Sequence, residues 1–490
     1  MIRRLGLLAA LLVPAAAAAQ PVSHSPGVSI REVRTLPPVP VRLAHDPATG
    51  ALWIATFLGD LVRLDAPFET GAMTVVATEA EHGTPKVRGM TVGPDGEIVL
   101  VGNDEGELET RGIVRRGTLV DGVWTWEDVL RTEPYATTGG SFDHQFSSVT
   151  FSPDGAWMFV ASGSRTDHGE IQPNDGVYPG LRDQPLTTRL FRLPADARDV
   201  LLPNDEAALR TMGVIYAEGF RNAFDLAWDA DGELFAVDNA GDRDDGEELN
   251  WVREGHHYGF PWRMGLHDTP QQFSGYDPDA DPLVNPQSYA YRNGYFYDDP
   301  SYPAPPDGVA FTDPVQNTGP DADFYRAGDG SIQDASVTGA TVASFTPHRS
   351  PLGLVFDRES ILPDPFRGDG FVLSYTSIDS RLLGPFGDES EDVLHLQLFP
   401  DRTTMRATRI ASGFESPIDA VHIGQALYVA EFGARAGLWA LDLTFVLAAT
   451  PDPDSGLALA ATPNPSRGDG HVTVASPSPQ SVRVVLIDAL

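Results

Sequence analysis

One strand–turn–strand unit recurs six times in this chain, and that recurrence constrains the fold more than any other feature. It is plainest at Leu43-Ala44-His45-Asp46-Pro47-Ala48-Thr49-Gly50, which runs on into Ala51-Leu52-Trp53-Ile54-Ala55. It returns over residues 90–101 around Pro94-Asp95-Gly96, over 149–161 around Pro153-Asp154-Gly155, and over 226–237 around Asp231-Gly232. Two looser copies follow, at 354–375 with Gly368 and Gly370 in the turn region, and at 420–430 with Gly424. Proline presets φ, aspartate caps the turn, and glycine takes the left-handed position that returns the strand. The flanking residues alternate with a period of two, and nothing between the copies holds a sustained helical period. Six such units predict an all-β chain, a six-bladed β-propeller of four-stranded blades, in preference to a two-sheet sandwich.

The copies are unevenly spaced, and the excess marks insertions. The longest lies between Trp262 and Phe345 and is rich in Asp, Pro and Tyr, with Tyr276, Tyr289, Tyr291, Tyr295, Tyr297 and Tyr302 among them. Long insertions at one end of a propeller usually build its binding face. Clustered tyrosines suit stacking on sugar rings and equally suit a small core internal to the loop; both readings stand at this point.

The first residues read as a leader. Arg3 and Arg4 give a positive start, residues 5–13 are apolar but too short to span a bilayer, and Pro14 with the alanines up to Ala19 supplies small residues for cleavage. A signal peptide over residues 1–20 is expected, and with it export to a periplasmic, cell-surface or extracellular location. No later segment is long and apolar enough for a transmembrane span. The absence of cysteine excludes lipoprotein anchoring and covalent haem attachment, and leaves a large core and bound metal to do the work of disulfides. A formal net charge of −35, with Lys86 as the single lysine, repels phosphate backbones and disfavours nucleic-acid binding.

The segment richest in chemistry runs from Glu218 to Trp262. It carries Gly219-Phe220-Arg221-Asn222, then a hairpin, then Asp238-Asn239-Ala240-Gly241-Asp242-Arg243-Asp244-Asp245-Gly246-Glu247-Glu248-Leu249-Asn250, and closes on Tyr258-Gly259-Phe260-Pro261. So many carboxylates repel one another unless they are solvated or neutralised by a cation. With hard oxygen ligands and no His or Cys in the run, that cation would be Ca²⁺. A solvated acidic loop is the plainer alternative.

This segment resembles the signature of the glucose/sorbosone dehydrogenase family, six-bladed propellers that bind pyrroloquinoline quinone (PQQ) and Ca²⁺. Arg221-Asn222, Glu247-Glu248-Leu249-Asn250 and Tyr258-Gly259-Phe260-Pro261 match its order and approximate spacing. The stretch from His144-Gln145-Phe146 through Pro153-Asp154-Gly155 to Ser162-Gly163-Ser164 is similar to the blade carrying the family's catalytic histidine. His348-Arg349-Ser350-Pro351-Leu352-Gly353-Leu354, with Phe366-Arg367-Gly368, resembles a blade of the sorbosone-dehydrogenase branch.

The resemblance implies an oxidoreductase that passes hydride from a sugar hydroxyl to the quinone and electrons onward to a separate acceptor. His144 would be the general base, a task suited to a histidine. Arg221 would bind the quinone oxygens and stabilise developing negative charge, with Asn222 beside it. Glu248 and the carbonyls of Ala240, Gly241 and Tyr258 would hold structural Ca²⁺. On the residues alone, His144 reads equally as a surface histidine before a strand, and Arg221 as an arginine neutralising the acidic loop.

Departures from the family pattern are concentrated late in the chain. Where sugar-oxidising members place cofactor-gripping arginines before the last blade, this chain has Glu415-Ser416-Pro417-Ile418-Asp419. Their cofactor-contacting lysine has no counterpart, Lys86 being remote in sequence, and Arg349, Arg367 and Arg381 are the possible substitutes. A quinone carrying several carboxylates depends on such charge-assisted bonds. Other functions remain in view: a calcium-dependent lactonase, or a calcium-stabilised propeller that binds glycans or a protein partner without catalysis. A serine mechanism lacks a G-x-S-x-G elbow, and NAD use lacks a dinucleotide fingerprint.

The propeller is expected over residues 21–448, a linker over 449–456, and a partial C-terminal domain over 457–490, short and β-sandwich-like. From Pro463-Asn464-Pro465 to Ile487-Asp488, this tail resembles the sorting domain of type IX secretion.

Overall fold

The computed structural model describes residues 20–140, 142–375 and 382–444, together with the backbone of 458–462 and 471–475. The predicted leader and interdomain linker lie outside the described residues. So does most of the C-terminal tail, of which two antiparallel strands, Ala458–Thr462 and His471–Ala475, are described.

All six repeats fold as hairpins at the heart of a six-bladed β-propeller. Their first strands are Pro40–Asp46, Gly89–Val92, Phe146–Phe151, Ala223–Trp228, Pro351–Phe356 and Pro417–Ile423. Each packs against the next, and the sixth packs back on the first, so the six strands form a closed ring around a central channel. Each pairs antiparallel with the strand that follows it, through the turns predicted from Pro-Asp-Gly and its variants. Gly96, Gly155 and Gly232 take positive φ (80°, 70° and 80°), which explains the glycine at those turns.

The blades are less uniform than the repeat suggests. The sixth is closed by the N-terminal strand Val28–Thr35, which pairs with Gly437–Leu443 at its outer edge. That pairing joins the two ends of the propeller and removes an exposed sheet edge. The second and fifth blades each gain extra edge strands. The fourth has three strands instead of the expected four. Its outer strand Glu248–Val252 is covered by the long insertion: Val315 N–H donates to the Leu249 carbonyl (2.8 Å), and Phe345 bridges Glu247. The helices of the propeller are short, the longest described being Glu206–Met212.

Apolar faces of neighbouring blades interlock into a nearly continuous core, with Leu52, Ile54, Phe146, Phe191, Phe235 and Phe371 fully buried. The channel itself is plugged by charge. Arg42, 3 % exposed, donates to the carbonyls of Arg88 (2.8 Å), Ser147 (3.1 Å) and Phe224, and faces Asp225 (3.8 Å) and Asp419 (4.0 Å). Asp225 in turn accepts from Leu354 N–H (2.9 Å), and Asp419 from Leu43 N–H (2.7 Å). One side chain and its two partners thus touch all six blades. Burial and the nearby Asp225 charge push Asp419 up to about 7.

Candidate functional site

The segments that enter the inner strands and those that link second to third strands share one end of the channel. On that face the third and fourth blades meet through backbone bonds. His144 N–H donates to the Ser164 carbonyl (2.7 Å), and Ser164 N–H donates to the Arg221 carbonyl (2.7 Å). Gly163 makes this approach possible, because a Cβ there would lie 2.5 Å from His144 Cβ and 3.0 Å from the Arg221 carbonyl. His144, Arg221 and Asn222, separated in sequence, are therefore neighbours.

The His144 ring is half-buried, and its Nδ1 is buried without a hydrogen-bond partner among the described residues. Burial, then the positive charges of Arg221 and Arg88, hold its pKa well below the usual histidine value. The ring is consequently a neutral base at physiological pH. Arg88 lies on the second-blade approach to the same face and is paired with Glu105 at 2.7 Å. Lys86, remote from the motif in sequence, belongs to this approach too, its ammonium 5.1 Å from the Phe57 ring centroid.

Arg221 is 4 % exposed and heavily engaged. Its Nε donates to the Asp167 carbonyl (2.7 Å) and Nη2 to Asp167 Oδ1 (3.0 Å). Nη1 donates to the carbonyls of Asn239 (3.2 Å) and Ala240 (2.9 Å). Four of its five N–H groups are thus used, which leaves one on Nη2. Asn222 donates one amide hydrogen to Asn239 Oδ1 (2.9 Å), and Asn239 reaches the fifth blade through the Pro351 carbonyl (2.8 Å).

Asp167 is the residue that sequence reading passed over. It also accepts from His168 Nδ1 (2.8 Å) and from Asp242 N–H (3.0 Å). Burial would raise it, but the His168 bond and the Arg221 charge outweigh burial and keep it below the usual carboxylate value. The run Thr166-Asp167-His168-Gly169-Glu170 carried a signal, two carboxylates around a histidine just after the third hairpin. Gly241 packs against Asp167, where a Cβ would meet the Asp167 carbonyl at 2.9 Å.

The acidic loop folds inward. Asp238 and Glu248 face each other across adjacent strands. Asp238 accepts from the backbone N–H groups of Arg221 (2.9 Å) and Asn222, and burial pushes it up to about 7. Glu248 accepts from Gly265 N–H (2.7 Å) and Asn250 Nδ2 (2.8 Å), and burial followed by the Asp238 charge raises it well above the usual value. Glu247 accepts from Ala240 N–H (2.7 Å) and Ser350 N–H (3.0 Å). Tyr258 is buried, its hydroxyl donating to the Trp251 carbonyl (2.6 Å) and accepting from Arg253 N–H (2.8 Å).

Glu248, Ala240 and Gly241 therefore belong to one end of the fourth blade, whereas Tyr258 runs along the edge of the third, its N–H donating to the Glu218 carbonyl (2.8 Å), and the Ala240 carbonyl faces Arg221. Among the described residues, no three acidic or histidine side chains converge as a ready-made metal site.

Of the substitute cations considered from sequence, Arg349 enters the fifth blade on this same face, but its charge is already answered. Arg349 is fully buried between Asp388 (2.6 Å) and Asp392, the same two carboxylates that Arg409 binds at 2.6 and 2.8 Å. Arg367 lies by the turn at the opposite end of its blade, donating to the Ser360 carbonyl (2.8 Å). Arg381 falls outside the described residues. Ser416, at the sixth-blade entry, brings no charge.

The sequence model of the glucose/sorbosone dehydrogenase family matches residues 103–294, less than half of the chain but a span holding His144, Arg221, Asn222, Glu248 and Tyr258. No curated protein matches the chain. Several solved structures share the fold. One is the apo-form of a soluble aldose sugar dehydrogenase from Escherichia coli, at 18% identity and TM-score 0.51, covering 85% of this chain and 99% of that one. Another is the holo form of the pyranose dehydrogenase PQQ domain from Coprinopsis cinerea, at 14% identity and TM-score 0.53, covering 86% and 97%. A putative glucose dehydrogenase from Thermus thermophilus matches at 18% identity and TM-score 0.51, covering 85% and 100%.

Proposed function

We propose that this chain is an exported, PQQ- and calcium-dependent sugar dehydrogenase that oxidises a hydroxyl of an aldose or sorbosone-type substrate. One observation carries the reading. Inside the stretch that the dehydrogenase family model matches, His144 presents a neutral imidazole with a buried, unpartnered nitrogen beside Arg221. A base for a sugar hydroxyl must be unprotonated before reaction, and both burial and the Arg221 charge keep it so.

The donor set fits the carbonyl end of the quinone. Arg221 keeps one N–H on Nη2 and Asn222 a second amide hydrogen, both aligned by the Asp167 and Asn239 contacts. Positive charge for the quinone's carboxylates would come from Lys86 and Arg88, on the second-blade approach. When bound, the quinone would supply the hydride acceptor. The chain's own work is to hold the hydroxyl at His144, take its proton on the ring, and fix positive charge nearby. Ca²⁺ suits the Asp238–Glu248 pair, two buried carboxylates in register whose side-chain oxygens meet neutral N–H donors. Export rests on the leader-like first twenty residues.

The test is reconstitution of the purified protein with PQQ and CaCl₂, followed by dye reduction over a panel of aldoses and by titration of quinone binding. Failure to bind the quinone in calorimetry sinks the proposal. Lactone hydrolysis without quinone would replace it with a hydrolase.

A further inference from the structure

The long insertion resolves the two readings of its tyrosines. Tyr276, Tyr291 and Tyr295 pack on Val284, Ala290 and Phe296 of the insertion and on Phe142 of the third-blade entry, forming a small core that seats the loop on the propeller. Tyr302 lies within hydrogen-bond distance of the His168 (2.6 Å) and Pro261 (2.9 Å) carbonyls. Arg182, on the third-blade connection 163–188, donates to Asp299 (2.6 Å) and Ser301 (3.0 Å) of the insertion. Those tyrosines build the loop, and Trp262, at its start, faces a cavity instead.

Between that connection and the insertion lies a cavity of about 430 Å³, within the roughly 300–1,000 Å³ usual for small-molecule sites. Trp262 and His257 line it. Trp262 is half-buried and its plane is set: Nε1 donates to the Pro303 carbonyl (2.8 Å), and the ring lies parallel to Phe311 at 6.0 Å. Six charged residues complete the lining, and they balance. Arg182, Arg189 and Arg210 stand against Asp183, Glu206 and Glu218, three charges of each sign in a chain of net charge −35. Arg189 and Arg210 both bridge Glu206 and Glu218. Burial holds His257 down to about 4, so it adds no charge at neutral pH.

A preformed aromatic face with a rim of paired, mutually oriented donors and acceptors has no net charge to attract an ion. A hydroxyl both donates and accepts, so a polyhydroxylated ligand can join a guanidinium and a carboxylate without leaving either unsatisfied. Ring C–H faces can lie on the indole. We infer that this cavity is a binding subsite for a neutral oligosaccharide, separate from the His144 site and independent of the dehydrogenase reading. Its Thr188–Glu218 wall continues directly into Gly163, since Thr188 N–H reaches the Gly163 carbonyl (3.4 Å) and Gly219 N–H the Thr188 carbonyl (2.9 Å). A chain held here would extend along the face that carries His144.

The test uses the full chain without added cofactor. Calorimetric titration with maltohexaose, cellohexaose and xylohexaose should show binding to at least one of them. Trp262→Ala should weaken it at least tenfold, Trp262→Phe should restore most of it, and Arg210→Ala, at an exposed position, should weaken it severalfold with the melting temperature unchanged. His144→Ala should bind as the parent does, which separates this site from the proposed base. The inference is overturned if none of the three binds, if Trp262→Ala or Arg210→Ala binds as the parent does, or if oligogalacturonate is preferred over all of them.

Discussion

Two buried arginines, Arg221 and Arg349, invite the same reading from sequence and have opposite surroundings. Arg349 sits in a closed quartet with Arg409, Asp388 and Asp392, two cations against two carboxylates, with every charge answered. Arg221 is held between Asp167 and the acidic loop, where Asp238, Asp242, Glu247 and Glu248 all have raised pKa values, burial being the first cause in each, and outnumber the nearby cations Arg221, His168 and His348. A balanced cluster is architecture, because nothing added to it improves its charge. An unbalanced one, next to an unpartnered imidazole nitrogen, is where a cation and a reacting ligand belong.

The sharpest break of this contrast is expected at His144. His144→Ala should lower dye-reduction turnover by about 10²–10⁴-fold while leaving the melting temperature in place. An unchanged rate with a lowered melting temperature would show the ring to be structural. Arg349→Ala should behave in reverse. It leaves Asp388 and Asp392 sharing Arg409 and should cost about 3–5 kcal/mol in denaturant unfolding, with quinone affinity unaltered in whatever fraction stays folded. A selective loss of quinone binding would return Arg349 to the site.

Calcium probes the charge excess directly. Added to chelator-treated protein at about a hundredfold over its dissociation constant, Ca²⁺ should stabilise by roughly 2.7 kcal/mol, read as a rise in thermal midpoint. That rise should vanish in Glu248→Ala; a rise that persists places the ion away from Asp238 and Glu248.

The smallest effect, taken per pH unit, is expected in the channel, where Arg42 faces two carboxylates and the balance lies between the two extremes. Asp419, at about 7 in the folded protein, lies above its unfolded value, so the folded state holds the extra proton. Stability from this group is full below about pH 4 and declines as pH rises towards 7, by at most about 1.4 kcal/mol per pH unit. Asp419→Asn should flatten that part of a stability–pH profile; an unaltered slope would move the titration to another group.

The blades were legible because turn chemistry and strand alternation are local. Pro94-Asp95-Gly96 specifies its hairpin without help from the rest of the chain, and Arg221-Asn222 could be read as a motif for the same reason. The third strand of the fourth blade shows the limit: its edge is covered by Val315 and Phe345, far along the insertion, which no local pattern announces. The tyrosines show another limit. Their number marked the insertion, but only packing made them a core and left Trp262 at a cavity.

The sequence by itself determined six hairpins, an acidic and cysteine-free chain, and the order in which His144, Arg221 and Glu248 occur. Tertiary structure alone decided which charges meet. Arg221 finds Asp167 across 54 residues, Arg349 finds Asp388 across 39, and Lys86 comes to the His144 face from a different blade. The reason is physical: a turn is set by the dihedral preferences of a few consecutive residues, whereas the protonation and pairing of a buried charge depend on every group that folding brings within a few ångströms.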